Sequence, residues 1–481
     1  MLKFFYRLLL LALALVAFAG CSAQQPAASR ATPLAAAPTA APPTAAPATA
    51  APPTAVPPTA APPTEAVPTA APATAAPASG TGGPRFTHPT AISNPLYPIA
   101  LTRYTIALGT EGGDPSRTEI TLLPGTRVIA WNGQQTEVRV VQFMAMVGGR
   151  LVEVAYDYFA QADDGSVYYM GEDVTNYRDG KVADHGGSWQ AGKDGAPPAL
   201  IMPARPSVGQ VFNPENLPGV VFETDKVLSL GQKTTTPAGP IDNGVFVEET
   251  LMDGSVEHKI YAANFGIVEE QASDELSHLV LYAPAGAPPR AVPDALSTIE
   301  AQAEDIADAV PGGSWAKVSA DVDAARAAWQ GYAGEHDGVP APFRDALAGA
   351  LARLQKAAAG KQPRATLQAA NDLSAAVVDL FAVYQPALPP DLGWLDVLGR
   401  QVKLDVAASD YAAAADSLAK AGAVWARLKP VVLAHDGAGV AAKFDGSLAA
   451  LQKALAGKNS AALEREAEHA LALVDALEGL F

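Results

Sequence analysis

Between Thr136 and Ala262 the chain alternates apolar and polar residues with period two, and turn residues break the runs. Thr136-Glu-Val-Arg-Val140 alternates and meets Gly148-Gly149; Leu151 to Gln161 turns at Asp164-Gly165 into Ser166 to Met170. Asp179-Gly180 parts Tyr177-Arg178 from Lys181-Val182, and Asp253-Gly254 parts Val245 to Leu251 from Val256 to Ala262. Asp-Gly between extended runs marks a hairpin, because both residues tolerate positive φ. Hairpins repeated without helical periods predict an antiparallel β-meander over 86–287, curled into a sandwich or an open barrel.

Past a Pro-rich joint (288–293) the period changes to that of helices. Leu347, Ala350, Leu351 and Leu354 share one helical face, as do Leu448, Leu451 and Leu455. The segment is also a duplication. LQKAAAGK at 354–361 returns as LQKALAGK at 451–458, Trp329 returns as Trp425, Trp315 is echoed by Tyr411, and His336-Asp337-Gly338 returns as His435-Asp436-Gly437. The offsets stay within 96 to 99 residues, which implies one ancestral unit copied once. Breaks near Pro311-Gly312-Gly313, Gly338 to Pro342, Gly360 to Pro363 and Pro386 to Pro390 leave room for about four helices per copy. Repeat 1 is expected over 294–389 and repeat 2 over 390–481, as an all-α helical-bundle domain.

The first 85 residues carry no such period. Lys3 and Arg7 precede an apolar run from Leu8 to Ala19, too short to span a membrane but suited to a signal peptide over 1–20. Phe18-Ala19-Gly20-Cys21 resembles a bacterial lipobox, with Phe18 where Leu is usual. The resemblance implies cleavage before Cys21 and acylation of that residue, anchoring an extracytoplasmic lipoprotein to the cell membrane, or to an outer membrane if the organism has one. From Ser22 to Arg85 the chain drifts through copies of Ala-Pro-Pro-Thr-Ala, with 16 prolines in 64 residues and Glu65 as the lone charge between Arg30 and Arg85. That composition predicts a disordered, polyproline-II-rich stalk.

Composition narrows the function classes. Acids outnumber bases 50 to 33, and the net charge of -17 disfavours nucleic acid. A single cysteine excludes an intramolecular disulfide and a cysteine metal cluster. Residues 92–99 (ISNPLYPI), 156–173, 179–210 and 256–270 resemble a domain of uncharacterised secreted bacterial proteins, and 395–430 resembles helical repeats of uncharacterised envelope proteins. Both resemblances imply a fold and bring no chemistry.

Several residues invite chemistry. Gly187 to Lys193 has phosphate-loop spacing, but Asp194 replaces the magnesium-binding Ser or Thr and Ala196-Pro197-Pro198 forbids the following helix. Asp163-Asp164-Gly165 with Glu172-Asp173 offers oxygen ligands without EF-hand spacing. His258 shares a strand face with Val256 and Ile260, as a core histidine would, with a catalytic or ligand-binding role as the alternative, while Glu257, Lys259 and Tyr261 share the other face. Tyr156, Tyr158, Tyr168, Tyr169, Tyr177 and Trp189 gather around the hairpins and would line an apolar ligand cavity if they faced inward. The duplicated turns offer His336, Asp337, His435 and Asp436 to a metal only if the fold brings them together; otherwise the same residues simply make turns. No Gly-x-Ser-x-Gly or His-Glu-x-x-His motif occurs. The sequence therefore supports a non-enzymatic envelope protein that binds a ligand, a partner or wall material, with no cofactor. The alternatives are a hydrolase using carboxylates of the β-domain, and a metal-handling protein using the His-Asp turns.

Overall fold

The computed structural model describes residues 83–481 except 336 and 337. The expected signal peptide, Cys21, the stalk, and the His336-Asp337 pair lie outside the described residues.

The meander comes in two halves. β1 (Thr102–Glu111), β2 (Asp114–Trp131), β3 (Gln134–Val147), β4 (Arg150–Gln161), β5 (Val167–Arg178) and β6 (Lys181–Asp184) pair in succession, each antiparallel to the last. β12 (Thr224–Thr236), β13 (Gly239–Thr250), β14 (Val256–Ala262), β15 (Gly266–Gln271) and β16 (Glu275–Pro284) do the same. Between the halves lie short strands: β7 (Trp189–Gln190) and β8 (Ala199–Met202) on β5, β9 (Val211–Phe212) on β12, and a separate pair, β10 (Asn216–Leu217) with β11 (Val221–Phe222). β16 returns to pair with β1, so a single 14-stranded sheet runs from β6 through the β1–β16 seam to β9. The path ends on two unjoined edges, so the barrel is open. The expected turns are in place, with Asp179 and Gly180 at φ 49 and 68 and Gly148 and Gly149 at φ 58 and 73. The β1–β2 hairpin, turning on Gly112-Gly113, and the last two strands went unread in the sequence.

The sheet curls so that its two wings share one core. Val141, Phe159 and Tyr169 from one wing pack in the same cluster as Val227, Val247 and Tyr261 from the other. Strand parity sorts the faces. On β4, Glu153, Ala155, Asp157 and Phe159 face inward, whereas Val154 and Tyr156 face out toward the helices.

Eight helices follow: α1 (Asp294–Ala309), α2 (Trp315–Glu335), α3 (Ala341–Ala359), α4 (Pro363–Tyr384), then α5 (Pro390–Ala407), α6 (Tyr411–Ala434), α7 (Ala438–Ala456) and α8 (Ser460–Glu478). Within each set of four, neighbours pack in sequence and the last helix returns to the first, giving two four-helix bundles joined at α4 and α5. Each has its own apolar core. The copying extends to the backbone: Lys361 and Lys458, at equivalent turns, both adopt the left-handed conformation, at φ 47 and 48. Asp410 and Asn459 cap α6 and α8 by accepting the amides of Ala413 and Ala462 at 3.0 and 3.1 Å.

The bundles cover the convex face of the sheet. Ile106, Val280 and Leu281 join the core of the first bundle. Arg117 donates twice to Asp379 of α4, each at 2.8 Å. Asp416 of α6 accepts the Leu151 amide at 2.9 Å, and Gln142 donates to the Ala423 carbonyl at 3.0 Å. The β5–β6 turn comes so close to α6 that a Cβ on Gly180 would collide with the backbone at Ala415 and Asp416. The concave face is left free of helices.

Candidate binding cavity

Between the wings lies a cavity of about 260 Å³, lined from both. Its walls are acidic. On one wing, Asp157 of β4 stands directly across from Glu172 of β5, with Glu153 two inward positions along, past Ala155. On the other, Glu249 and Glu257 line the cavity from β13 and β14 and stand opposite one another, and Asp225 of β12, outside the lining, stands across from Glu249, making a cross-strand ladder of three carboxyls whose Cβ atoms are ~5 Å apart by strand geometry. All three are at most 2 % exposed. Glu215, from the connection between the halves, adds another buried carboxyl.

Lys259 is the only Lys or Arg in the lining. Its ammonium lies 2.5 Å from Glu249 and 3.6 Å from Glu270. Burial opposes its charge, but Glu249 and Glu270 outweigh burial and raise its pKa. Among the described residues no Lys or Arg lines the first wing. Burial, offset in part by the Tyr169 hydroxyl and reinforced by Glu153 and Glu215, pushes Asp157 up to about 8. Burial raises Glu153 as well; burial with Glu215 and Asp157 raises Glu172. Glu153 Oε2 and Glu172 Oε1 are buried without a hydrogen-bonding partner, and their residues are each 4 % exposed.

Aromatic rings stand beside these acids. Phe159 stacks on Tyr169 with centroids 4.9 Å apart, Tyr97 meets Phe159 edge-on at 5.3 Å, and the Tyr169 hydroxyl donates to Asp157 at 3.1 Å. The register allows this through a bulge at Met170, which returns Tyr169 to the inward face. Gly171 beside it has φ 127, and a Cβ there would strike the Trp189 carbonyl.

Of the tyrosines and the tryptophan read from the sequence, only Tyr169 lines this cavity. The cavity is also acidic where the sequence suggested an apolar one. Tyr156 faces α6 with Met144 and Val154. Tyr158 donates to Asp173 at 2.7 Å and carries the Arg127 guanidinium over its ring, 4.5 Å from the centroid. Trp189 is buried against the Tyr169 edge at 5.5 Å. His258 points away from the cavity: it stacks on Phe246 at 5.2 Å, sits 3.8 Å from Glu248, and its side chain keeps 35 % exposure, so it is a surface residue and not a core one.

Asp163 is engaged by Thr87, Asp164 caps the Ser166 amide, and Glu172 and Asp173 face opposite ways, so that acidic run makes no common site. Gly187 to Lys193 forms β7 and a turn, with no helix after it. His435 ends α6 with its ring 4.4 Å from that of Phe481, and Asp436 takes the left-handed turn position at φ 58. Among the described residues no three His, Cys, Asp or Glu side chains cluster in metal-ligating geometry.

The acids that do converge were missed because parity was read for its apolar members. Glu153 and Asp157 share the parity of Ala155 and Phe159, and a charge at a core-facing position was the available signal. No protein-family model matches this chain, and no curated protein sequence matches it.

Proposed function

We propose that the protein is an extracytoplasmic, lipid-anchored binding protein that takes a small ligand into the cavity of its β-domain without transforming it. In this reading Cys21 carries the anchor, the Ala/Pro/Thr segment is a spacer, and the helical repeats are a scaffold that can also meet wall material or a protein partner. The observation that carries it is a buried cavity on the one sheet face that the bundles do not cover. The net charge of -17 argues against nucleic acid as the ligand.

The test is native mass spectrometry of the full-length processed protein, purified from its host envelope. Retained extra mass is expected in the wild type. It should be lost from Ala155→Leu, which fills the cavity, while the circular dichroism spectrum stays the same. A clean mass for the wild type would overturn the binding reading in favour of a spacer or wall-contact role. Turnover of a glycan substrate would overturn the non-enzymatic one.

A further inference from the structure

The two wings of the cavity are unequal in a way that specifies a ligand. Both carry buried carboxyls, but among the described residues only the β13–β14 wing has a lining Lys or Arg, the Lys259 ammonium held by Glu249 and Glu270. The β4–β5 wing repeats the acids without the amine: Glu153 Oε2 and Glu172 Oε1 have no partner, and Asp157 has only the Tyr169 hydroxyl. A buried carboxyl oxygen left without a donor costs ~1–3 kcal/mol. Two such oxygens face this wall of the cavity, whereas the unpartnered oxygens of Asp225 on the other wing lie outside its lining, so the β4–β5 wall is shaped for a donor that arrives from outside.

We propose that this wall binds a small organic ammonium ion, its nitrogen donating to the facing Asp157 and Glu172 in the field of Glu153, and its carbon body lying against Tyr97, Phe159 and Tyr169. The inference rests on the cavity being a binding site and adds the class of ligand. Three observations favour an alkylammonium over a metal ion. Lys259 shows the opposite wall already satisfying a primary ammonium with two carboxylates. Aromatic faces next to carboxylates suit an organic cation through ring-quadrupole attraction, and here the stacked Phe159–Tyr169 pair adjoins Asp157. Calcium, by contrast, needs six to eight oxygens at ~2.3–2.6 Å, and the acids here are spread around the walls and not converged on a point.

Binding is coupled to protons. In the empty cavity Asp157 faces Glu153, Glu172 and Glu215 with the Tyr97 and Tyr169 hydroxyls, and Lys259 is on the far wing. Burial keeps carboxyls of this wall protonated, and an arriving ammonium displaces those protons. Affinity therefore rises with pH from acidic to mildly alkaline conditions.

The experiment is titration calorimetry of the full chain with putrescine, with 1,4-butanediol as a neutral isostere and calcium chloride as the metal probe. Two buffers of different ionisation enthalpy report proton release. Putrescine should bind the wild type and release protons, and Glu153→Gln and Glu172→Gln should each weaken it about tenfold or more. Both variants are isosteric and should melt no lower than the wild type. Putrescine that fails to bind at millimolar concentration, or that binds wild type and both variants alike, overturns the proposal. Calcium that binds the wild type, displaces putrescine and is lost in the same variants overturns it in favour of a metal. A neutral adduct in native mass spectrometry together with no putrescine binding defeats the ammonium assignment and leaves the cavity a binding site.

Discussion

Arg427 and Glu119 are 308 residues apart in the chain and 2.6 Å apart in the fold. The guanidinium, on α6, also donates to Asp391 at 2.8 Å, and Glu119, on β2, also accepts from Arg117 at 2.7 Å. Both residues are buried, and the pair of arginines outweighs burial to hold Glu119 down at about 2. The network ties the second bundle to the sheet. Arg427→Met leaves the buried Glu119 with Arg117 alone and Asp391 without its guanidinium, and should cost about 3–5 kcal/mol in urea denaturation. Adding Glu119→Leu should recover part of that loss; an unaltered midpoint in the single variant would show that the network contributes nothing.

Stability should fall as pH rises. Asp157 is pushed up to about 8 by burial, and Asp396, buried near Glu478, Glu304 and Asp475, also to about 8 despite Arg400. Both carboxyls are protonated in folded and unfolded chains at low pH and contribute nothing there. Above the unfolded value near 4 the unfolded chain ionises first, so each group removes up to ~1.4 kcal/mol per pH unit until its folded pKa is reached. Glu119, held low in the folded chain, works in the opposite direction only until the unfolded Glu has ionised, and adds little to the slope above about pH 5. Thermal melts should therefore show a lower midpoint at pH 8 than at pH 5, with Asp157→Asn flattening the trend. A rising midpoint would contradict the assignment.

The paired turns should respond alike. Lys361 and Lys458 hold a left-handed conformation that glycine adopts freely. Lys361→Gly and Lys458→Gly should each stabilise the chain by about 0.5–1 kcal/mol, the relief of strain exceeding the added freedom of the unfolded chain. Chemical denaturation of the two variants and their combination measures this, and the effects should add because the turns belong to separate bundles.

The proposed anchor makes its own prediction. Cys21→Ala should move the protein from the membrane fraction to the soluble fraction of lysed cells. Retention on membranes would defeat the acylation reading. Among the described residues no helix is long and apolar enough to cross a membrane.

The architecture was largely readable because hairpin turns and helical periods are local signals. Asp179-Gly180 and the copied LQKA(A/L)AGK each announce themselves within a few residues. The β1–β2 hairpin escaped because β2 carries Pro115, Pro124 and Gly125, which read as breaks, although the strand runs through them to Trp131. The candidate site was legible only in fragments. Glu257, Lys259 and Tyr261 were placed on one face, but the opposite face, with His258 among apolar residues, looked like the core. Nothing local says that Glu172 ends up within one cavity with Glu249, because that juxtaposition depends on how the wings curl.

The seam between β1 and β16 pairs Thr102 with Pro284. The sheet is therefore closed in its middle by the first and last strands of the domain, about 180 residues apart, whereas every other pairing within each half is a neighbouring hairpin. A chain emerging N-terminus first can zip each half as it appears, but cannot make the seam until β16 has followed. The cavity draws its walls from both halves, so it comes into being only at that final step. Until then the domain is in effect two separate meanders with exposed acidic faces, and it acquires its interior late.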